Sequence, residues 1–89
     1  MDILLVDDEM AFASLLADRL RLRGYPVRCA PTAETALRLI GEKAPDVAFL
    51  DVGLPGMDGI GLLEKIRLMP APVICCMLTG AAQVSVAAR

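Results

Sequence analysis

The chain has 89 residues, enough for one domain with a modest core and too few for two. Its hydrophobic content of 56% is high and its aromatic content of 3% is low, so the core must be aliphatic, as in strands buried on both faces. A net charge of −2 excludes a general electrostatic attraction to nucleic acid or to an anionic membrane.

Cys29, Cys75 and Cys76 have neither the even count of a disulfide framework nor zinc-ligand spacing, and histidine is absent. A reducing cytoplasm is the expected compartment. Asp2 stands where a secretory signal would carry positive charge. The uncharged stretch from Leu68 to Ala88 is divided by Pro70, Pro72, Thr79, Gly80, Gln83 and Ser85, which argues against a membrane span.

In chain order, Asp2 to Val6 is a short apolar run that reads as a strand. Asp7, Asp8 and Glu9 follow it in a strand-to-helix loop. Phe12, Leu15, Leu16 and Leu20 then recur near one helical face. Arg19, Arg21 and Arg23 complement the helix dipole, and Gly24 supplies the stop. Tyr25 to Ala30 reads as a second strand. Thr32 caps a helix whose apolar positions are Ala33, Ala36, Leu37 and Ile40.

Val47 to Leu50, bounded by Pro45, is a third buried strand that delivers Asp51 to its carboxyl end. Gly53, Pro55 and Gly56 allow the next loop to approach a ligand closely, and Asp58 is placed to cap a helix carrying Gly59, Leu62, Leu63 and Ile66. Val73 to Leu78 reads as a fourth strand, ending at Thr79 and Gly80, and Ala82 to Arg89 as the beginning of a fourth helix. Strands alternating with helices in this way predict right-handed βαβ units: an α/β, doubly wound parallel sheet with helices on both faces. Consecutive strand positions send Cys75 and Cys76 to opposite faces.

Asp7, Asp8, Asp51 and Thr79 would then emerge at one rim of the sheet, where open parallel sheets bind ligands. Taken alone, Asp51 is a turn aspartate and the acidic triplet is a helix cap. Convergence changes that reading. At about 5 Å and an effective dielectric of about 20, each like-charge pair costs roughly 3 kcal/mol, so the cluster calls for a counterion. An oxygen-only donor set suits Mg²⁺ better than zinc.

The acidic pair in LLVDDE, the aspartate and loop in FLDVGLPGMDG and the hydroxyl in MLTG closely resemble the receiver domain of two-component response regulators, in the right order and over the whole of residues 1–89. The resemblance implies a flavodoxin-like fold with strand order 2-1-3-4 and a signalling module rather than an enzyme. Asp51 would be the phosphoacceptor, Asp8 a direct Mg²⁺ ligand, Asp7 a direct or water-mediated one, and the Gly53 carbonyl the remaining protein ligand. Thr79 and the Gly80 amide would hold the phosphoryl group. The implied partner is a sensor histidine kinase or phosphotransfer protein, with no direct binding of nucleic acid or membrane by this segment.

The family pattern continues with a fifth parallel strand carrying a lysine, and with a fifth helix, so the resemblance leaves this chain incomplete at its C-terminal end. Neither Lys43 nor Lys65 is placed to replace that lysine. An apolar strand-four edge without charge or proline would then be open to pairing, which predicts a homo-oligomer through that edge. A receiver acting only as a phosphorylation-independent interaction or dimerisation module is the alternative. An aspartyl-phosphate hydrolase would need a second aspartate where Gly53 stands. A flavodoxin would need phosphate-binding donors where Asp7 to Glu9 stand.

Overall fold

The computed structural model of the chain describes residues 1–54, 59–78 and 84–87, the last group for its backbone. Five strands, β1 (Ile3–Val6), β2 (Val27–Ala30), β3 (Val47–Asp51), β4 (Ile74–Leu78) and β5 (Val84–Ala87), form one sheet in the order β2-β1-β3-β4-β5. The first four are mutually parallel, as the alternation of strand and helix predicts. Three helices, α1 (Met10–Leu22), α2 (Ala33–Glu42) and α3 (Gly59–Arg67), connect them.

Alternation along each strand divides the core in two. Leu4, Val6, Ala48, Leu50, Cys75 and Met77 pack with Ala36 and Ile40 of α2 and with Leu62 and Ile66 of α3. Ile3, Leu5 and Val27 meet Ala17 of α1 on the other face, with Leu16, Leu20, Cys29 and Phe49 packed against them. The sheet is therefore doubly wound. Cys75 is buried in the first layer and Cys76 only partly covered, and all three cysteines are free thiols. Among the described residues no helix is long and apolar enough to cross a membrane.

Local chemistry sets the helix ends. Gly24, at φ 93°, takes the left-handed conformation that follows α1; its amide donates to the Arg21 carbonyl at 2.9 Å and the Tyr25 amide to Leu20 at 3.2 Å, the paired bonds of a Schellman motif. Thr32 accepts the Thr35 amide at the start of α2, as its sequence position predicts. At the other end of α2, Arg28 of β2 donates to the carbonyls of Leu39 at 2.9 Å and Lys43 at 2.6 Å.

Three expectations need correction. The buried face of α1 is centred on Ala13 and Ala17, whereas Phe12 and Leu15 are 48% and 56% exposed. Small residues allow the helix backbone close to β1 and β2, and the large apolar side chains flank that contact. The segment read as a fourth helix contains β5 instead, antiparallel to β4 with Cys76 opposite Val86 and Leu78 opposite Val84. The edge of β4 is consequently paired within the chain, and a homo-oligomer formed through that edge would have to displace β5. The cap assigned to Asp58, the loop residues Pro55 and Gly56, and the positions of Thr79 and Gly80 lie outside the described residues.

Candidate metal and acceptor site

β1 and β3 are hydrogen-bonded neighbours at the centre of the sheet, with Val6 in register with Leu50. The residue after each pair is an aspartate, so Asp7 and Asp51 leave the same end of the sheet side by side. Asp7 remains tied to β2, its amide donating to the Ala30 carbonyl at 3.1 Å, and Val52 donates to Leu78 of β4 at 3.2 Å. Both aspartates are thus fixed by strand backbone on either side. One carboxylate oxygen from each of Asp7, Asp8 and Asp51 lies within 4.8 Å of the others. The sequence expectation that these three converge is met.

Asp7 and Asp51 use the same local device. Asp7 Oδ1 accepts the Glu9 amide at 2.9 Å, and Asp51 Oδ1 accepts the Gly53 amide at 3.1 Å. Each is an aspartate turn that orients the carboxylate and leaves its second oxygen without a donor among the described residues. Glu9 is the N-cap of α1 but makes no side-chain cap bond, so the acidic triplet does not serve the helix in the ordinary way. Burial pushes the Asp7 carboxyl above its usual value; the charges of Asp51, Asp8 and Glu9 add to the rise, and the Glu9 amide partly opposes it.

Asp7 and Asp51 are half-buried and Asp8 is exposed, so the cluster is open to water on one side. Three carboxylates with no thiol or imidazole among them form a hard, all-oxygen donor set, which could hold a divalent cation that keeps several waters. Gly53, whose carbonyl the family resemblance implies as a ligand, sits in the turn closed by Asp51. No lysine reaches this rim among the described residues: Lys43 pairs with Asp2 at 3.2 Å at the opposite end of the strands, and Lys65 is exposed in the last turn of α3.

The sequence reading treated Gly59 only as one more helical position. It is buried at the start of α3, and its amide donates to the Val52 carbonyl at 3.0 Å, directly behind Asp51. No sequence signal marks it, because what limits the space there lies on other elements.

Comparison with known proteins agrees with this geometry. Residues 3–89 match the response regulator receiver domain family. The transcriptional regulatory protein KdpE of Mycobacterium tuberculosis is 45% identical over 73 residues, which is 81% of this chain and 32% of that protein. The chain therefore spans about a third of that relative's length. Among solved structures, a CheY-like response regulator receiver domain protein from Methanospirillum hungatei superposes with a TM-score of 0.82 at 37% identity, covering 92% of this chain and 66% of that one. The receiver domain of NtrX from Brucella abortus gives 0.70 at 43% identity, covering 74% and 57%. With acidic residues at the ends of adjacent parallel strands and the family match running from Ile3 to Arg89, this chain belongs to the response regulator receiver domain family.

Proposed function

We propose that the chain is the phosphoryl-accepting module of a two-component signalling system and that Asp51 is the acceptor. The observation that carries this reading is the convergence of Asp7, Asp8 and Asp51 at the carboxyl ends of β1 and β3. Asp7 shares the same turn geometry, so the choice of Asp51 as nucleophile follows the family resemblance. The turn of Asp51 with Gly53 occupies one oxygen and leaves the other without a donor among the described residues. In transfer from a phosphohistidine, that oxygen forms the new O–P bond as the donor's N–P bond breaks, and the imidazole departs.

Asp7 and Asp8 would hold Mg²⁺ together with Asp51 and the Gly53 carbonyl. When bound, the cation would neutralise charge on the transferring group. The remaining work belongs to the chain. The two aspartate turns fix the carboxylates before a donor arrives, and the partial burial of Asp7 limits competing water. Thr79 and the Gly80 amide are proposed to contact the phosphoryl oxygens. A sensor histidine kinase or phosphotransfer protein would be the donor, in a reducing cytoplasm that keeps the three thiols free.

Acetyl phosphate with Mg²⁺ tests the assignment by intact-mass spectrometry. The parent chain should gain one phosphoryl group, and Asp51→Asn none. An equal mass gain in both proteins would place the acceptor elsewhere.

A further inference from the structure

Gly59 has a different reason to be glycine from Gly24. Its backbone is not in the left-handed region, so the requirement is for space. A Cβ built there would lie 2.6 Å from the Asp51 carbonyl oxygen, 2.9 Å from the Val52 Cα and 2.9 Å from the Met77 Cε. The methionine tip can swing aside. The other two atoms belong to the backbone that carries Asp51, and Val52 is held on both sides, by Leu78 through its amide and by Gly59 through its carbonyl. A side chain at 59 can be accommodated only by lifting the start of α3, which breaks the Gly59–Val52 bond, or by turning the Asp51–Val52 peptide, which moves the carboxylate.

From this packing we infer that Gly59 is a positioning residue for Asp51. Its bare Cα lets α3 clamp the end of β3 and so sets how far the Asp51 carboxylate reaches toward Asp7 and Asp8. The inference rests on the reading of Asp51 as a phosphoryl acceptor beside a divalent cation. Gly41, inside α2, supplies the control, because a Cβ there meets nothing within 4 Å.

The test compares the parent, Gly41→Ala, Gly59→Ala and Gly59→Ala with Met77→Ala, measuring melting temperature, Mg²⁺ affinity by calorimetry and labelling rate with acetyl phosphate. Gly59→Ala should lose at least about tenfold in Mg²⁺ affinity, the scale of losing a residue that orients a metal ligand, and should be labelled correspondingly more slowly. Gly41→Ala should match the parent in Mg²⁺ affinity and labelling rate and melt no lower than it. Adding Met77→Ala should lower the melting temperature further, since it truncates a core side chain, and should not recover affinity, because the clash with the Asp51 carbonyl persists. Parental affinity and rate in a folded Gly59→Ala chain would overturn the inference, as would recovery of affinity in the double variant. If neither Gly59→Ala chain folds, amide resonances of the parent decide: on Mg²⁺ titration Gly59 must shift with the same midpoint as Asp51 to Gly53, and a stationary Gly59 overturns the clamp. If the parent neither binds Mg²⁺ nor is labelled, the acceptor reading fails by itself. The clamp is then judged from metal-free spectra, in which Gly59→Ala, or Met77→Ala acting through its contact if the former is unfolded, must shift the amides of Asp51 to Gly53; unchanged resonances overturn it.

Discussion

Asparagine at position 7 would keep the oxygen that accepts the Glu9 amide and remove the charge. In the metal-free protein Asp7 faces Asp51 with carboxylate oxygens no more than 4.8 Å apart. Coulomb repulsion at that separation is about 1 kcal/mol at the dielectric of water and about 3.5 kcal/mol at a dielectric of 20; partial exposure favours the lower end, about 1–2 kcal/mol. For a domain of this size each 1 kcal/mol moves the midpoint by about 4–8 °C, so Asp7→Asn should melt roughly 5–10 °C above the parent without metal at low salt. The pH dependence has a definite sign. Because the folded state raises the Asp7 pKa above its ordinary value of 3.8, the stability linked to its protonation is complete below 3.8 and is lost as pH rises through the folded value. The advantage of Asp7→Asn is therefore full at neutral pH and absent below 3.8. Mg²⁺ should reverse the ranking, since a ligand at a hundredfold excess over its Kd stabilises the parent by about 2.7 kcal/mol and the variant by less. Thermal melts followed by far-UV circular dichroism suit a chain without tryptophan. A variant that melts no higher than the parent at pH 7 without metal, or that responds equally to Mg²⁺, would refute the reasoning.

Two further outcomes check the packing. Ala17 is fully buried between α1 and the sheet, so Ala17→Leu should cost about 1–3 kcal/mol in urea unfolding, whereas Leu15→Ala, at a position 56% exposed, should stay within about 0.5 kcal/mol. The reverse ranking would restore the leucine face to the core. Thr32→Ala should lose about 1 kcal/mol by the same measurement through loss of the Thr35 amide's acceptor, and an unchanged midpoint would show that the cap contributes nothing.

How much of this was legible depends on the range of the interaction. The stop at Gly24 and the helix start at Thr32 were readable because each involves a few neighbouring residues. β1, β3 and β4 were readable because each is a continuous apolar run, although only β1 is buried on both faces while β3 and β4 alternate buried with partly covered or exposed residues. The orientation of α1 was not, because periodicity counts large apolar residues and a close helix-to-sheet contact selects small ones such as Ala13 and Ala17. β5 was missed because its four residues, Val84 to Ala87, sit among the helix-favouring Ala81, Ala82, Gln83 and Ala88 of the sequence, and pairing with β4 determines their state. The meeting of Asp7, Asp8 and Asp51 needs the placement of β3 beside β1, which no local pattern contains; resemblance to the family supplied it. The space requirement at Gly59 depends on Val52 and Met77, which lie on other elements, and so had no one-dimensional signature.

Arg28 also bears on the open edge of β2. β2 is an outer strand of the sheet, only four residues long, with one edge facing away from β1. An incoming strand from another chain would find there a cation already committed to the end of α2, a helix with no basic residue of its own in its last turn. Extending the sheet past β2 would crowd that guanidinium and threaten the carbonyls of Leu39 and Lys43 with the loss of their donor. A residue that completes a helix end in the folded chain thus also places a charge on the outer strand, one of the features by which exposed sheet edges resist further pairing.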